Sequence, residues 1–76
     1  MLVRSEEIWR MRITVNGEAR ELPADITVHD LILHFDRNPA ATVVERNGDI
    51  VDREAYSSMR LSEGDTVELV QFVGGG

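Results

Sequence analysis

With 76 residues, 42% of them hydrophobic and 29% charged, the chain can form one domain with a small core, too small to enclose a large cofactor. It has no cysteine, which excludes disulfides, thiolate zinc sites, iron–sulfur ligation and a cysteine nucleophile or persulfide. The formal charge of -6 repels a phosphate backbone, so nucleic acid is a poor partner and a protein with a basic docking face is favoured.

No apolar run approaches the roughly 18 residues of a membrane span. The opening "MLVRSEEIWR" lacks the apolar core of a signal peptide, so the protein is expected to be cytoplasmic and free of membrane. In "MRITV", Met11, Ile13 and Val15 face one way and Arg12 and Thr14 the other, the alternation of a half-buried strand. Asn16-Gly17 tolerates the positive φ angles of a type I′ turn, which predicts a hairpin with a return strand over Glu18 to Leu22 that Pro23 ends.

In "DITVHDLILHF", Val28, Leu31, Ile32 and Phe35 recur at helical spacing and line one face. Thr27 with Asp30 three positions on resembles a capping box, and Asp36 to Pro39 closes the helix. The β-branched "ATVVER" predicts a strand that Asn47-Gly48 turns into a short "DIV" strand. A compact turn or single helical loop is expected over Asp52 to Met59, with Tyr56 and Met59 packed beneath the loop before Leu61. After the turn at Glu63 to Asp65, "TVELVQFV" predicts the last strand. One helix can cover one face of a mixed sheet, which is a two-layer α+β domain, and the hydrophobic first and last strands are expected at its centre.

Along the final strand Val67, Leu69 and Gln71 share one face, and Glu68, Val70 and Phe72 the other. If the first set meets the helix, Val70 and Phe72 form an apolar patch on the open face, a candidate partner-binding site. The strand then runs into Gly74, Gly75 and Gly76. A domain gains little order by finishing on glycine, so the freedom of this segment is its expected use. Three such residues reach about 10 Å, fit a tunnel too narrow for a Cβ and can take different shapes in different enzymes. His29 and His34 would point about 140° apart on a helix and so form no metal pair. No catalytic triad, phosphate-binding glycine loop or dinucleotide fingerprint is present, and the acidic residues are scattered.

Four ordered stretches, "ITVNGE", "TVHDLI", "VVERNGDIVDRE" and "LSEGDTVELVQFVGGG", resemble the ThiS-type sulfur carriers of thiamin biosynthesis, in the β-grasp, ubiquitin-like superfamily and related to the small subunit of molybdopterin synthase. The resemblance spans Met11 to Gly76. It implies a β-grasp mixed sheet of four to five strands with one main helix on one face, divided as an N-terminal extension 1–10, a domain 11–73 and a flexible glycine tail 74–76. Members usually begin at the first strand, so residues 1–10 are a departure, and Trp9 raises the question of whether its indole packs on the domain or on a partner.

The resemblance also implies that the chain is a protein co-substrate and not an enzyme. Gly76 would be the covalent site and Gly74 and Gly75 its tether. A ThiF-like enzyme would use ATP to adenylate the Gly76 carboxylate, and a sulfur donor system would displace AMP to leave a thiocarboxylate. A ThiG-like thiazole synthase would accept the sulfur. The carrier is expected to be a monomer when alone and to bind no cofactor stably. Sulfur carriage for molybdopterin or cysteine synthesis, conjugation as a ubiquitin-like modifier, and a non-covalent β-grasp interaction domain are the alternatives.

Overall fold

The computed structural model of the chain describes residues 9–72. Strand β1 (Arg10–Val15) returns as β2 (Glu18–Pro23), and a single helix, α1 (Val28–His34), follows. Strands β3 (Thr42–Arg46) and β4 (Asp49–Ile50) form a second hairpin, and β5 (Thr66–Gln71) closes the sheet. Short 3₁₀ turns at Pro39–Ala41 and Arg53–Ala55 complete the connections.

The sheet order is β2-β1-β5-β3-β4, with β1 parallel to β5 and the other neighbours antiparallel. The last strand therefore occupies the middle, beside the first, and the fold is the expected mixed β-grasp sheet with one helix on one face. Strand β1 begins at Arg10, and β2 continues through Pro23, which an edge strand accommodates because its outer side needs no donor. Trp9 precedes β1 with its indole 84% exposed, and its carbonyl accepts from the Ala24 N–H at 2.7 Å. The indole is thus not part of the domain core.

Local chemistry sets the turns and the helix ends. Asn16 and Gly17 have φ of 50° and 84°, both positive as a type I′ hairpin requires, and Asn47-Gly48 repeats the arrangement. The Thr27 hydroxyl accepts from the Asp30 N–H at 3.1 Å while the Asp30 carboxylate accepts from the Thr27 N–H at 3.0 Å, a complete capping box. The backbone hydrogen bond from Thr27, joined by its hydroxyl, holds the Asp30 carboxyl below its ordinary pKa.

At the other end Arg37 N–H donates to Ile32 and Asp36 N–H to Leu33, at 3.0 and 2.9 Å, which is a Schellman closure with Asp36 at φ 58°. An aspartate there bears a left-handed backbone and puts a negative charge at the negative end of the helix dipole. Asp36→Gly is therefore expected to stabilise the fold by about 0.5–1 kcal/mol. A higher urea midpoint with unchanged slope would bear this out, and a lower one would refute it.

Val28, Leu31 and Ile32 of α1 join Met11, Ile13, Val15, Leu22, Val44, Val67 and Leu69 in one core cluster. Each such side chain contributes about 1.5–3 kcal/mol by leaving water. Phe35, the fourth residue of the helical stripe, packs only partly against this core, with the Arg20 guanidinium 5.2 Å above its ring. Tyr56 is buried as expected, and its hydroxyl donates to the Thr42 carbonyl at 2.7 Å; Met59 packs half-buried beside it. The "DIV" strand is shorter than expected. Val51 lies beyond β4 yet is buried and still bonded to Val44, because it has turned under the sheet towards the core.

Candidate functional site

The candidate site is the C-terminal end of β5, and its position follows from how the strand is held. On the β3 side the register pairs Glu45 with Glu68 and Val43 with Val70, and Phe72 N–H still donates to Ala41 at 2.9 Å. On the β1 side Thr14 and Asn16 N–H groups donate to the Asp65 and Val67 carbonyls, both at 2.9 Å. Beyond that point β1 has already turned away. The Asn16 side chain takes over, with its amide oxygen accepting from Leu69 N–H at 2.8 Å and its amide nitrogen donating to the Leu69 carbonyl at 3.4 Å.

Asn47 performs a similar task at the start of β5. Its backbone N–H donates to the Thr66 carbonyl at 2.7 Å, and its side-chain oxygen accepts from Thr66 N–H at 2.9 Å. Both turn asparagines are thus used twice, once for the hairpin and once to fasten the central strand. Pattern reading identifies only the first use, since the second depends on partners 53 and 19 positions away.

Asp65 anchors the same end. Its carboxylate accepts from Arg46 Nε at 2.8 Å, Asn47 Nδ2 at 3.0 Å and Ser62 N–H at 2.8 Å. Burial pushes its carboxyl pKa up, but the Asn47, Ser62 and Arg46 interactions more than reverse this, and the group is held below its ordinary value.

The alternation along β5 resolves as the first of the two possibilities. Val67 and Leu69 are buried against the helix side, while Val70 is 55% and Phe72 63% exposed on the open face. Val43, directly across from Val70, extends the apolar row, and Ile50, paired with Glu45, is 69% exposed. Neither Val43 nor Ile50 was singled out by pattern reading. The signal lay in "TVVER", where Val43 and Glu45 alternate with the buried Val44.

Gly74, Gly75 and Gly76 lie outside the described residues. His29 is half-buried in the first turn of α1 and His34 exposed in its last. Among the described residues no group of three or more His, Cys, Asp or Glu side chains is arranged to hold a metal ion, and no helix is long and apolar enough to cross a membrane. What the arrangement offers is a firmly held central strand with an apolar outer face, leading directly into the glycine segment.

The model of the ThiS family matches residues 13–76. The chain is 38% identical over 65 residues to the sulfur carrier protein ThiS of Bacillus subtilis, covering 84% of this chain and 98% of that protein. It is also 36% identical over 66 residues to a thiazole synthase of Paramagnetospirillum magneticum, covering 87% of this chain but 20% of that protein. The chain therefore spans about one fifth of the length of the thiazole synthases it matches. Among solved structures, the crystal structure of the thiamine biosynthesis protein ThiS from Geobacter metallireducens superposes with a TM-score of 0.74 at 32% identity, over 87% of this chain and 100% of that one. A family match across most of the domain, full-length carrier relatives and the shared fold agree: the chain belongs to the ThiS family.

Proposed function

We propose that this chain is a cytoplasmic sulfur carrier, a protein co-substrate and not a catalyst, that supplies sulfur for thiazole formation in thiamin biosynthesis. The observation that carries the reading is that the family match runs through Gly76, the residue whose carboxyl the chemistry needs. A carboxylate is a poor electrophile. A ThiF-like enzyme joins the Gly76 carboxylate to the adenylyl group of ATP with loss of pyrophosphate, and a donor sulfur then displaces AMP from the acyl carbon. The product is a terminal thiocarboxylate, and a ThiG-like thiazole synthase takes up its sulfur. Gly74 and Gly75 serve as a tether slender enough to enter both enzymes.

The similarity to thiazole synthases supports a ThiG-like recipient, since in those proteins a segment like this chain belongs to the same polypeptide as the rest. The test is intact-mass analysis of untagged, monomeric protein after incubation with ATP, a sulfur donor and a ThiF-like enzyme. Replacement of one oxygen by sulfur is expected. Gain of a whole protein's mass would identify a modifier instead, and no change under any donor would remove the carrier reading.

Val70 and Phe72 form the grip beside the tether. Phe72 is largely exposed, so Phe72→Ser should cost no more than about 0.5 kcal/mol of stability. Loss of an interface anchor costs about 2 kcal/mol or more, which is roughly 30-fold in Kd. Titration calorimetry with each enzyme, alongside urea denaturation, separates the two. Equal losses of binding and stability would reject the assignment.

A further inference from the structure

We propose that the open sheet face beside β5 docks a basic protein surface, with Glu45 and Glu68 together accepting a guanidinium or ammonium group of the enzyme that holds the glycine segment. The proposal deepens the carrier reading and rests on it. Glu45 and Glu68 are directly opposite in the β3–β5 register. Both bend outward, because Val44 and Arg46 on β3 and Val67 and Leu69 on β5 occupy the helix side.

Opposed residues of an antiparallel pair lie about 5.5 Å apart at Cα, so two carboxylates there repel each other at some cost to the fold. Nothing in the domain relieves this. The ion pairs among the described residues are Arg12–Glu21, Arg20–Glu18, Arg46–Asp65 and Arg60–Asp25, and neither Glu45 nor Glu68 takes part.

The surroundings identify what covers the pair. Ile50 borders Glu45 on one side, and the Val43–Val70 row borders both carboxylates on the side towards the tail, with Phe72 beyond it. Phe72 is four residues from Glu68, about 13 Å along the strand. An enzyme that acts on Gly76 must come up against Phe72, so the same enzyme covers the strip reaching back to the carboxylates. A cation set among apolar side chains is the complement of this strip. The chain's net charge of -6 favours the same encounter at long range.

The test uses the double variant Glu45→Gln/Glu68→Gln in the full chain, with Asp36→Asn/Glu54→Gln as a control that removes the same charge from other exposed positions. Association with a ThiF-like adenylating enzyme and with a ThiG-like synthase is followed by stopped flow at low and high salt. For at least one enzyme the test variant should associate about 10-fold more slowly at low salt with a flatter salt dependence, while the control stays near wild type. The test variant should also melt at a higher temperature than wild type, because repulsion has been removed, so binding and stability move in opposite directions. The proposal is overturned if the test variant associates with both enzymes as wild type or the control does, or if wild type associates with neither. Failure of wild type to gain sulfur is a different result, read by mass, and removes the carrier reading itself.

Discussion

Deletion of Gly76 is expected to reduce sulfur loading by a factor of 100 or more while leaving the melting temperature unchanged. Each residue of an extended chain advances at most about 3.3–3.6 Å, so the shortened chain presents its carboxylate short by that amount. A misplacement of about 1 Å can cost about 100-fold in rate when the reacting atoms are otherwise well placed, and no side chain is present to compensate. The fold is indifferent to the change because β5 is fastened upstream, at Leu69 by Asn16 and at Phe72 by Ala41. Addition of one further glycine should be nearly as damaging, since it moves the carboxylate past the same point. Intact-mass time courses with a ThiF-like enzyme measure both effects. Loading of the deletion variant at the wild-type rate would show that position along the tail does not matter, and the carrier mechanism would lose its physical basis.

The second large effect concerns stability. Replacing Asp65 with alanine leaves Arg46 Nε, Asn47 Nδ2 and Ser62 N–H without their acceptor. Removing one partner of a buried ion pair costs about 3–5 kcal/mol, and the partial exposure of Arg46 lets water recover part of it, which places the expectation near 3 kcal/mol. For a domain of this size that is a fall in Tm of roughly 15–20 °C. Scanning calorimetry measures it directly, and a fall of under about 5 °C would show that Asp65 is not the anchor described.

The same residue sets an acid limit. Its folded carboxyl binds a proton less readily than in the unfolded chain, so its contribution is complete above the ordinary value of 3.8 and is lost as pH falls through the depressed folded value. Asp30 acts in the same direction and window. The alanine variant should therefore lose stability less steeply than wild type below about pH 4, without becoming flat.

The legible parts of this protein were the local ones. Asn16-Gly17 and Asn47-Gly48 mark hairpins because the required φ angles belong to those residues alone, and Thr27 with Asp30 marks the start of α1 because the capping partners are three positions apart. The two faces of β5 were also visible as an alternation. Which face meets the helix was not, because a strand with valines on both sides can be buried either way; the partnership of Val67 and Leu69 with the helix residues decided it, leaving Val70 and Phe72 outside. The shortened β4 was missed for a similar reason: Val51 is drawn under the sheet by the core, a pull that no three-residue window contains.

The amino-acid sequence by itself determined where the chain turns, where its helix begins and ends, and which terminal glycines would carry the chemistry, because these depend on torsional preferences and hydrogen bonds within a few residues. Only the tertiary structure decided that β5 lies between β1 and β3, that Asn16 reaches Leu69, that Asp65 gathers three donors and that Glu45 faces Glu68. Those contacts join residues 18 to 53 positions apart. Their formation depends on closing long loops against chain entropy, which the burial of the whole core offsets and no single segment can.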